Sequence, residues 1–525
     1  MADTEAEAKT LQERRRELLR RRIAESGMAA AESGNRVAIH AGERYPLSAG
    51  QRRMWFLQAM DASDVTLNIC VSYRLTGPLD EARLRSAFND VVARHAILRT
   101  VYGVDSEGEP YQIFSDGSAG AEIGWRTEDV TQLPTEDRGR RIDALAADEF
   151  GRPFELTREL PLRTTLIHSA TDDFVLLLTV HHICWDDDSW DVFVREISAA
   201  YNGRQPGATA PQFVAVEVLE TPPEPGIADV GYWADMLRPS PEPLELPGFP
   251  QLRAAHPSRQ AERRTRALPA DLFGRVESFA REHAASPFMV LLASFGVLVR
   301  RYTGATDFLV SVPVTDRGAA AEGAIGYFGN TLLLRIVARP HDTFTSFVEA
   351  VRETCLNGFA HQSVGIDRVV REVNPERMGH DGMDHLVRLG FSMRKSASGF
   401  ALDGVNVRQL ELGAATAHLP LALAVVLDSD GALVEFEYQT DVLGAALVDQ
   451  ILAHYIQLLD NALRTPERRL ASLDMLGSGE RESVLEQSHG ELVPTSPITM
   501  VAMLESAAAA RPDAIALVSD QAELT

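Results

Sequence analysis

The first half of the chain alternates between strand-like and helix-like patterns of hydrophobic residues. Asn68 to Leu75 alternates apolar and polar residues and predicts a strand, and Leu79 to Arg94 has the spacing of an amphipathic helix. Residues 174–180 are apolar apart from Thr179 and are followed by His181, a pattern typical of a strand that is buried on both faces. Trp190 to Tyr201 then predicts another helix. This part of the chain is therefore expected to combine α and β structure.

A second series of such patterns follows a proline-rich region within residues 205–255. Its predicted helices are residues 270–283, 287–302, 344–361 and 445–463, and its predicted strands are residues 308–312, 331–338, 387–393, 421–427 and 434–439. Two α+β halves of similar size fit this order better than one large sheet. We place the first half at residues 41–215 and the second at residues 216–475.

Both ends of the chain depart from this pattern. Residues 1–40 contain an arginine-rich, helix-forming stretch from Leu11 to Ile23 with a narrow apolar stripe. This stretch is either a solvated leader helix or a docking helix for an acidic partner protein. A polar connector occupies residues 476–494, and Ile498 to Leu517 begins a new helix-then-strand pattern. We interpret residues 476–525 as a linker followed by the start of a further domain.

The composition excludes several classes of function. The 525 residues carry 51 Lys+Arg against 75 Asp+Glu, a net charge of −24, which argues against a nucleic-acid binder because phosphate contacts need a basic face. No apolar run approaches the roughly 20 residues of a membrane span, and Met1 is followed by acidic and polar residues instead of a signal peptide. The 3 cysteines are too few and too scattered for a disulfide framework. We therefore expect a cytoplasmic protein that binds neither nucleic acid nor a membrane.

The densest group of chemically active side chains is residues 181–188, His-His-Ile-Cys-Trp-Asp-Asp-Asp, at the end of the buried strand. Metal binding is one interpretation, although adjacent strand residues such as His181 and His182 point to opposite faces. A second is structural, with one histidine packed and the aspartates capping the next helix. A third is acid/base or positioning chemistry by one histidine, while the other histidine and Asp186 hold the backbone and ring. Cys184 is either a nucleophile or a small buried filler.

This cluster resembles the His-His-x-x-x-Asp-Gly motif of the condensation domains of nonribosomal peptide synthetases. Other motifs of that family follow along the chain in order: Leu47-Ser-Ala-Gly-Gln-Arg-Arg-Met-Trp-Phe-Leu57, Arg94-His-Ala-Ile-Leu-Arg-Thr100, Pro313-Val-Thr-Asp-Arg317, Ile325-Gly-Tyr-Phe-Gly-Asn-Thr331, His361-Gln-Ser-Val-Gly-Ile-Asp367 and Phe436-Glu-Tyr438. Residues 503–517 resemble the start of an adenylation domain. The sequence also departs from the family pattern. Asp187 stands where the family has glycine, Pro420 where it often has aspartate, and residues 213–217 and 378–382 are degraded motifs.

The resemblance implies a pseudo-dimer of two chloramphenicol-acetyltransferase-like lobes in a V shape, with the active site at their junction. In that site His182 would position or deprotonate an amine, and His181 would point into the first lobe. Asp186 would pair with Arg317 across the lobes, whereas Asp187 would either take over that pairing or cap the next helix. The candidate lining residues of the substrate tunnel are Ser48, Arg52, Trp185, Tyr327, Asn330 and Thr331.

The implied reaction is attack of an acceptor amine on a donor thioester, which forms an amide bond. Phosphopantetheine arms of partner carrier proteins would deliver both groups, so the domain itself would bind no cofactor and no metal. The donor carrier is expected on another polypeptide, the acceptor carrier downstream, and the adenylation domain directly after this domain in cis.

Two alternatives remain open. One is a modified condensation domain that dehydrates or cyclises its tethered substrate, for which the added carboxylate of Asp187 is the one sequence feature. The other is a non-catalytic platform that recruits another enzyme, against which the retained His181 and His182 argue.

Overall fold

A computed structural model describes residues 38–525 apart from residues 117–123, 205–206, 208, 220–226, 243, 247–258, 316, 367, 370–386, 397–398, 411, 413–414, 429–430 and 490–498. The helix predicted within residues 1–40 and the degraded motif at residues 378–382 therefore lie outside the described residues. The chain divides after Asp474 into two compact units.

The first unit contains two large sheets with helices packed against them. Its described strands before residue 220 are β1 (Tyr45–Pro46), β2 (Asn68–Thr76), β3 (Thr100–Val104), β4 (Pro110–Phe114), β5 (Gly124–Asp129), β6 (Leu162–Ala170) and β7 (Asp173–His181). The described α-helices of this part are α1 (Ala49–Met60), α2 (Glu81–Arg94), α3 (Thr135–Phe150) and α4 (Asp187–Tyr201). Short 3₁₀ turns occupy Ala96–Arg99 and His182–Cys184, and a π turn occupies Val214–Leu219.

In the rest of the first unit the predicted helices and strands are present in the predicted order, together with one helix and three strands among the described residues that the pattern does not predict. Its described strands are β8 (Gln260–Leu268), β9 (Asp307–Thr315), β10 (Gly329–Val337), β11 (Leu389–Lys395), β12 (Asn406–Leu410), β13 (Ala415–Thr416), β14 (Leu421–Asp428) and β15 (Gly431–Gln439). Its described α-helices are α5 (Ile227–Leu237), α6 (Ala270–Glu282), α7 (Pro287–Thr303), α8 (Phe344–Ala360) and α9 (Ala445–Arg464).

Strand β7 is the central strand of a five-stranded sheet with the order β12-β2-β7-β6-β5. Successive side chains of a strand face opposite sides. Leu176 and Leu178 accordingly belong to the same core as Phe88 of α2 and Phe193 of α4, whereas Leu177 packs on the other face with residues of α3. This burial on both faces explains the almost unbroken apolar sequence from which the strand is predicted.

One strand of this sheet comes from late in the chain. Strand β12 pairs antiparallel with β2, from Asn406 opposite Thr76 to Leu410 opposite Ser72. The two halves predicted from the sequence therefore share a sheet, and a full ladder of backbone hydrogen bonds ties the later half to the strand beside β7.

The second large sheet has seven strands in the order β10-β9-β11-β14-β15-β8-β13. Helix α7 contributes a long buried stretch to its cover. The hydroxyl of Ser286 caps the first turn of α7, and Gly304 ends the helix with a φ of 75°, a left-handed conformation that glycine adopts without strain. Among the described residues no single helix is long and apolar enough to cross a membrane, and α6 and α7 pass that test only as a pair bent by 106°.

The second unit is small and its apolar side chains face outward. It contains α10 (Ser478–Ser488), α11 (Met500–Ala510) and a hairpin of β16 (Leu517–Ser519) and β17 (Ala522–Leu524). The helix-then-strand pattern expected in this region is present. Its large exposed apolar residues are Val484, Leu485, Met500, Val501, Met503, Leu504, Ile515, Leu517, Val518 and Leu524.

Candidate active site

The histidine motif lies where β7 ends, and strand β2 holds its backbone. His181 is the last residue of β7 and pairs with Asn68, and the backbone N–H of His182 donates to the carbonyl of Leu67 over 2.9 Å. The chain then turns through His182–Cys184 into α4. The two adjacent rings consequently have different surroundings, because His181 is fully buried and His182 is half-buried.

His181 is a structural histidine. Its Nδ1 accepts a hydrogen bond from the backbone N–H of Ile183 over 3.1 Å, so Nε2 carries the proton and donates to Oε1 of Gln58 over 3.2 Å. Burial, with smaller effects from the charges of His182 and Arg163, lowers the pKa of His181 to about 3. A ring with this pKa stays neutral near pH 7 and exchanges no proton there.

His182 is held in one tautomer. Its Nδ1 lies 2.6 Å from the backbone carbonyl oxygen of Trp185. Because a carbonyl can only accept, Nδ1 carries the proton and Nε2 of the neutral ring keeps its lone pair. Tyr327 packs edge-on against the ring, with the two centroids 5.2 Å apart. The ring is thus oriented from two sides, in the form that can accept a proton from an amine at Nε2.

Helix α1, which carries the opening motif, supports the histidine motif through two glutamines. Gln51 and Gln58 are seven residues apart and lie two turns apart on one helix face. Nε2 of Gln51 donates to the carbonyl of Ile183 over 3.3 Å, while Gln58 accepts from His181. Both glutamines are buried. Neither glutamine is predicted to have a role, although their seven-residue spacing within a helix-forming motif is the sequence signal that could identify them.

The predicted pairing of Asp186 with Arg317 is present in the structure. Nε of Arg317 lies 3.1 Å from Oδ2 of Asp186, and Nη2 donates to Oδ1, which makes the contact bidentate. The two side chains are 8% and 11% exposed. The backbone N–H of Phe328 also donates to Oδ2 of Asp186, and Nη1 of Arg317 donates to the carbonyl of Ala324. This cluster fastens the end of the histidine motif to residues 324–328.

The aspartate that caps α4 is Asp186 and not Asp187. Oδ1 of Asp186 accepts from the backbone N–H of Ser189, and the Ser189 hydroxyl completes a capping box. Asp187 is exposed in the first turn, where a carboxylate interacts favourably with the helix dipole. Asp188 is the second carboxylate near Arg317, with 3.6 Å between its Oδ2 and the arginine Nε. Both roles considered for Asp187 are therefore wrong.

Of the six tunnel candidates, Tyr327 contacts His182 directly. Asn330 and Thr331 follow at the start of β10 and are half-buried. The Asn330 amide donates to the carbonyls of Gln362 and Val364 over 2.7 Å and 2.8 Å, so it fastens the turn after α8.

The other three candidates lie on the first half of the chain. Ser48 is buried and caps α1, where its hydroxyl accepts from the backbone N–H of Gln51. Arg52 is exposed, and its Nη1 lies 3.6 Å from Oε2 of Glu109. Trp185 is 0% exposed and packs against Trp190 and other core aromatics. Trp185 therefore belongs to the core, and its backbone carbonyl holds the His182 ring.

A second ion pair, absent from the sequence predictions, connects early and late parts of the chain. Asp64 precedes β2 and Arg259 precedes β8, and 3.0 Å separates Oδ2 of Asp64 from Nη1 of Arg259. The backbone carbonyl of Asp64 accepts from Gln58, the residue that holds His181. No motif covers either residue, so only the folded chain reveals this pair.

Two further interpretations of the motif are a nucleophilic Cys184 and a metal site. Cys184 is fully buried and burial raises the pKa of its thiol well above the usual range, so it is a filler and not a nucleophile. Within the described part of the chain, no three His, Cys, Asp or Glu side chains converge closely enough to hold a metal ion.

The comparisons with known proteins agree with this geometry. The family model of the condensation domain matches residues 41–485. A phosphinothricin tripeptide synthetase, PhsC, from Streptomyces viridochromogenes is 29% identical over 91% of this chain, and a dimodular nonribosomal peptide synthase from Bacillus subtilis (strain 168) is 30% identical over 92% of it. The chain covers 45% and 21% of these two relatives, so it spans less than half of their length.

Solved structures of similar proteins have the same fold as this chain. The X-domain from teicoplanin biosynthesis is 26% identical with a TM-score of 0.72, and the match covers 84% of this chain and 100% of the X-domain. The first condensation domain of the calcium-dependent antibiotic synthetase is 22% identical with a TM-score of 0.68, over 83% of this chain and 100% of that domain. The predicted α+β fold of two chloramphenicol-acetyltransferase-like lobes is confirmed. Since the family match covers most of its length, the chain belongs to the condensation-domain family of nonribosomal peptide synthetases.

Proposed function

We propose that this domain forms an amide bond between a donor acyl or aminoacyl thioester and the amine of an acceptor aminoacyl thioester. The observation that carries the proposal is the state of His182. Its Nδ1 donates to the Trp185 carbonyl, which leaves the Nε2 lone pair for a substrate proton. Both ring nitrogens of His181, in contrast, are hydrogen-bonded within the protein, so that ring offers no lone pair to a substrate.

Amide formation requires little acid/base assistance beyond His182. The amine nitrogen attacks the thioester carbonyl carbon, and the carbon–sulfur bond then breaks. The proton lost by the amine passes to Nε2 of His182 and from there to the departing thiolate sulfur. Such a proton transfer contributes roughly 10²–10⁴-fold in rate, and the orientation of two tethered reactants contributes the rest.

The neighbouring residues keep the base in place. The Asp186–Arg317 pair fixes the start of α4, and with it the segment whose carbonyl at Trp185 orients the His182 ring. Tyr327 restrains the same ring from the other side. His181 is bonded to Gln58 and holds the backbone of Ile183. In this assignment His182 is the catalytic residue and the others are positioning residues.

The partners follow from the proposed reaction. Phosphopantetheine arms of an upstream donor carrier and a downstream acceptor carrier would bring in the two thioesters, and we place the domain in the cytoplasm. Residues 1–40 are proposed to dock the donor carrier. Deleting them should leave the melting temperature unchanged and weaken turnover at low carrier concentration, while an undiminished rate there would refute docking.

We further propose that residues 476–525 are a linker and the start of an adenylation domain. The exposed apolar side chains of α11 and of the β16–β17 hairpin support this, since an apolar face of this kind needs a partner. A four-domain nonribosomal peptide synthetase solved with AMP and glycine has a TM-score of 0.75 at 17% identity and covers 94% of this chain, against 84% for the X-domain.

A recruitment platform is the second candidate function. The X-domain from teicoplanin biosynthesis, also solved as a complex with OxyB, is 26% identical to this chain over 84% of its length. A platform needs a binding face but no base. The modified-domain alternative loses its one supporting feature, because Asp187 is an exposed carboxylate at the helix start.

Reconstitution separates these functions. The full chain is mixed with a donor carrier bearing an acyl thioester and an acceptor carrier bearing an aminoacyl thioester, and the intact mass of both carriers is measured. The proposal predicts transfer of the donor acyl group onto the acceptor-bound amino acid. Further loss of water would indicate a modified domain. Binding without transfer, over a panel of acyl and aminoacyl groups, would indicate a platform.

A further inference from the structure

The turn between helix α1 and strand β2 supports both histidines of the motif. Nε2 of Gln58 donates to the backbone carbonyl of Asp64 over 3.4 Å, and Oε1 of the same amide accepts from His181. Three residues after Asp64, the carbonyl of Leu67 accepts from the backbone N–H of His182 over 2.9 Å. The backbone of this turn therefore sets the position of the His181 ring and of the His182 backbone.

The carboxylate of Asp64 holds this turn in two ways. Its Oδ1 accepts from the backbone N–H of Thr66 over 2.8 Å, which closes the turn locally. Its Oδ2 lies 3.0 Å from Nη1 of Arg259, a residue 195 positions further along the chain. The two charged side chains are only 17% and 18% exposed, so solvent ions screen their attraction less than that of a surface pair.

The partner, Arg259, has an uncommon backbone conformation. Its φ is 54°, in the left-handed region that is unfavourable for a residue with a Cβ atom. The carbonyl of Arg259 accepts from the backbone N–H of Ala417 over 3.0 Å, and the next residue, Gln260, begins β8 opposite Thr416. Pairing with β13 thus keeps Arg259 in this conformation. A strained residue that its surroundings hold in place points to a function.

We propose that Asp64 and Arg259 are positioning residues for amide formation, since their ion pair holds the turn that orients His182. The inference rests on the function proposed above. The proton transfer itself stays with Nε2 of His182. Loss of the ion pair would release the turn, and a small displacement of the ring from the attacking amine slows the chemical step more than it weakens substrate binding.

The histidine motif is then held by one ion pair at each end. The pair of Asp64 with Arg259 supports the end of β7 through the turn before β2, and the pair of Asp186 with Arg317 supports the start of α4. Both aspartates belong to the first predicted half of the chain, and both arginines belong to the second. The geometry of the site therefore depends on contacts between the two halves.

The first test uses variants that remove the ion pair and keep the neighbouring hydrogen bonds. Asp64→Asn loses the charge but keeps a side-chain oxygen for the N–H of Thr66. Arg259→Gly loses the guanidinium, and glycine adopts a φ of 54° without strain, so the bond from Ala417 is kept. Both variants are therefore expected to fold.

An ion pair of the second large sheet provides the matched control. Nη2 of Arg335 lies 2.7 Å from Oδ2 of Asp307, and the two side chains are half-buried. Asp307 pairs with Val337 at the end of β10, whereas Tyr327 precedes the start of that strand. Asp307→Asn thus weakens a comparable pair away from the His182 ring.

The kinetic result is measured with the fastest pair of thioesters found in the reconstitution. Asp64→Asn and Arg259→Gly should each lower kcat on the order of 10-fold, with the KM for both loaded carriers within about two-fold. The double variant should be no slower than the slower single variant, because both changes remove the same contact. Asp307→Asn should keep its kcat. An unchanged kcat in either single variant, multiplied losses in the double variant, or an equal loss in the control overturns the proposal.

The second test observes the histidine rings without any substrate. In the unchanged chain Nδ1 of His182 carries the proton, and ¹⁵N NMR of histidine-labelled protein distinguishes this tautomer from the other. Asp64→Asn and Arg259→Gly should both shift the ring signals of His182, whereas Asp307→Asn should leave them in place. Unmoved signals in the first two variants refute this inference alone. If the unchanged chain forms no amide, the proposed function fails, and the NMR signals still decide whether the ion pair orients His182.

Discussion

Arg317 holds Asp186 through two guanidinium nitrogens, and this contact links the segment after β9 to the first residue before α4. Asp186 also accepts from the backbone of Ser189 and of Phe328, so its carboxylate is almost fully enclosed by donors. Arg317 stacks over the Phe328 ring at 4.5 Å. A buried charge of either sign is costly without its partner. The Asp186–Arg317 pair therefore holds the histidine motif in position and takes no part in the proposed proton transfer.

Removing Asp186 should strongly destabilise the fold. Asp186→Ala leaves the Arg317 guanidinium buried without its main partner, which should cost on the order of 3–5 kcal/mol in the free energy of unfolding. Urea denaturation measures this loss. Asp187→Ala is the matched control, because Asp187 is exposed one residue away, and it should stay within about 0.5 kcal/mol of the unchanged chain. A loss below about 1 kcal/mol for Asp186→Ala would show that the pair contributes little.

His181 should make stability depend on pH. Its pKa is lowered to about 3 in the folded state, while an unfolded histidine has its ordinary value near 6.5. At a pH between these two pKa values, His181 binds a proton in the unfolded chain but stays neutral in the folded chain. This contribution therefore destabilises the fold as the pH falls below about 6.5, by up to about 1.4 kcal/mol per pH unit. His181→Asn should remove that dependence.

Unfolding free energies measured from about pH 7 to about pH 5 test this point. The unfolding free energy of the unchanged chain minus that of His181→Asn should decrease as the pH falls, whatever the absolute stability of the variant. The exposed His341 provides a control, because His341→Asn should leave the slope unchanged. Parallel curves for the unchanged chain and His181→Asn would contradict the assignment of His181 as a buried neutral ring.

Gly50 should control the position of Tyr327. A Cβ atom at Gly50 would lie 2.5 Å from Cε1 of Tyr327, so Gly50→Ala must displace the ring that packs against His182. Amide formation should fall on the order of 10-fold, because small displacements of a catalytic group are costly. Gly139→Ala in α3 is the control, since a Cβ there meets nothing within 4 Å. Equal rates for the two variants would show that Tyr327 has no role in orienting His182.

The hydrophobic pattern predicts much of the fold but not every strand. Strand β7 and helix α7 are visible in the sequence because their long apolar stretches have the length and composition of the element. Strand β8 is not predicted by the pattern, since its sequence is rich in arginine. It forms by pairing with β15, where Arg263 lies opposite Glu437 with 2.8 Å between Nη2 and Oε2. A strand stabilised by cross-strand ion pairs carries no local apolar signal.

The candidate site, like the fold, can be predicted from the sequence only in part. The pairing of Asp186 with Arg317 can be predicted from the motifs and from the chemistry of a buried carboxylate. The burial of Trp185 in the core is not visible in the sequence, because proximity to His182 along the chain does not fix the direction of a side chain. Asp64 lies outside every motif and reaches the histidine motif through its tertiary contact with Gln58. Local patterns thus point to the proposed base, whereas its supporting contacts depend on the folded chain.

If Nε2 of His182 takes the proton of the attacking amine, as we propose, then His182→Ala should lose the acid/base part of the rate. Single-turnover amide formation is measured with both loaded carriers at saturating concentration, alongside urea denaturation and carrier binding. We expect the rate to fall roughly 10²–10⁴-fold, with the free energy of unfolding and carrier binding unchanged. A variant that folds and forms the amide at nearly the original rate would contradict the claim and leave His182 as a packing residue.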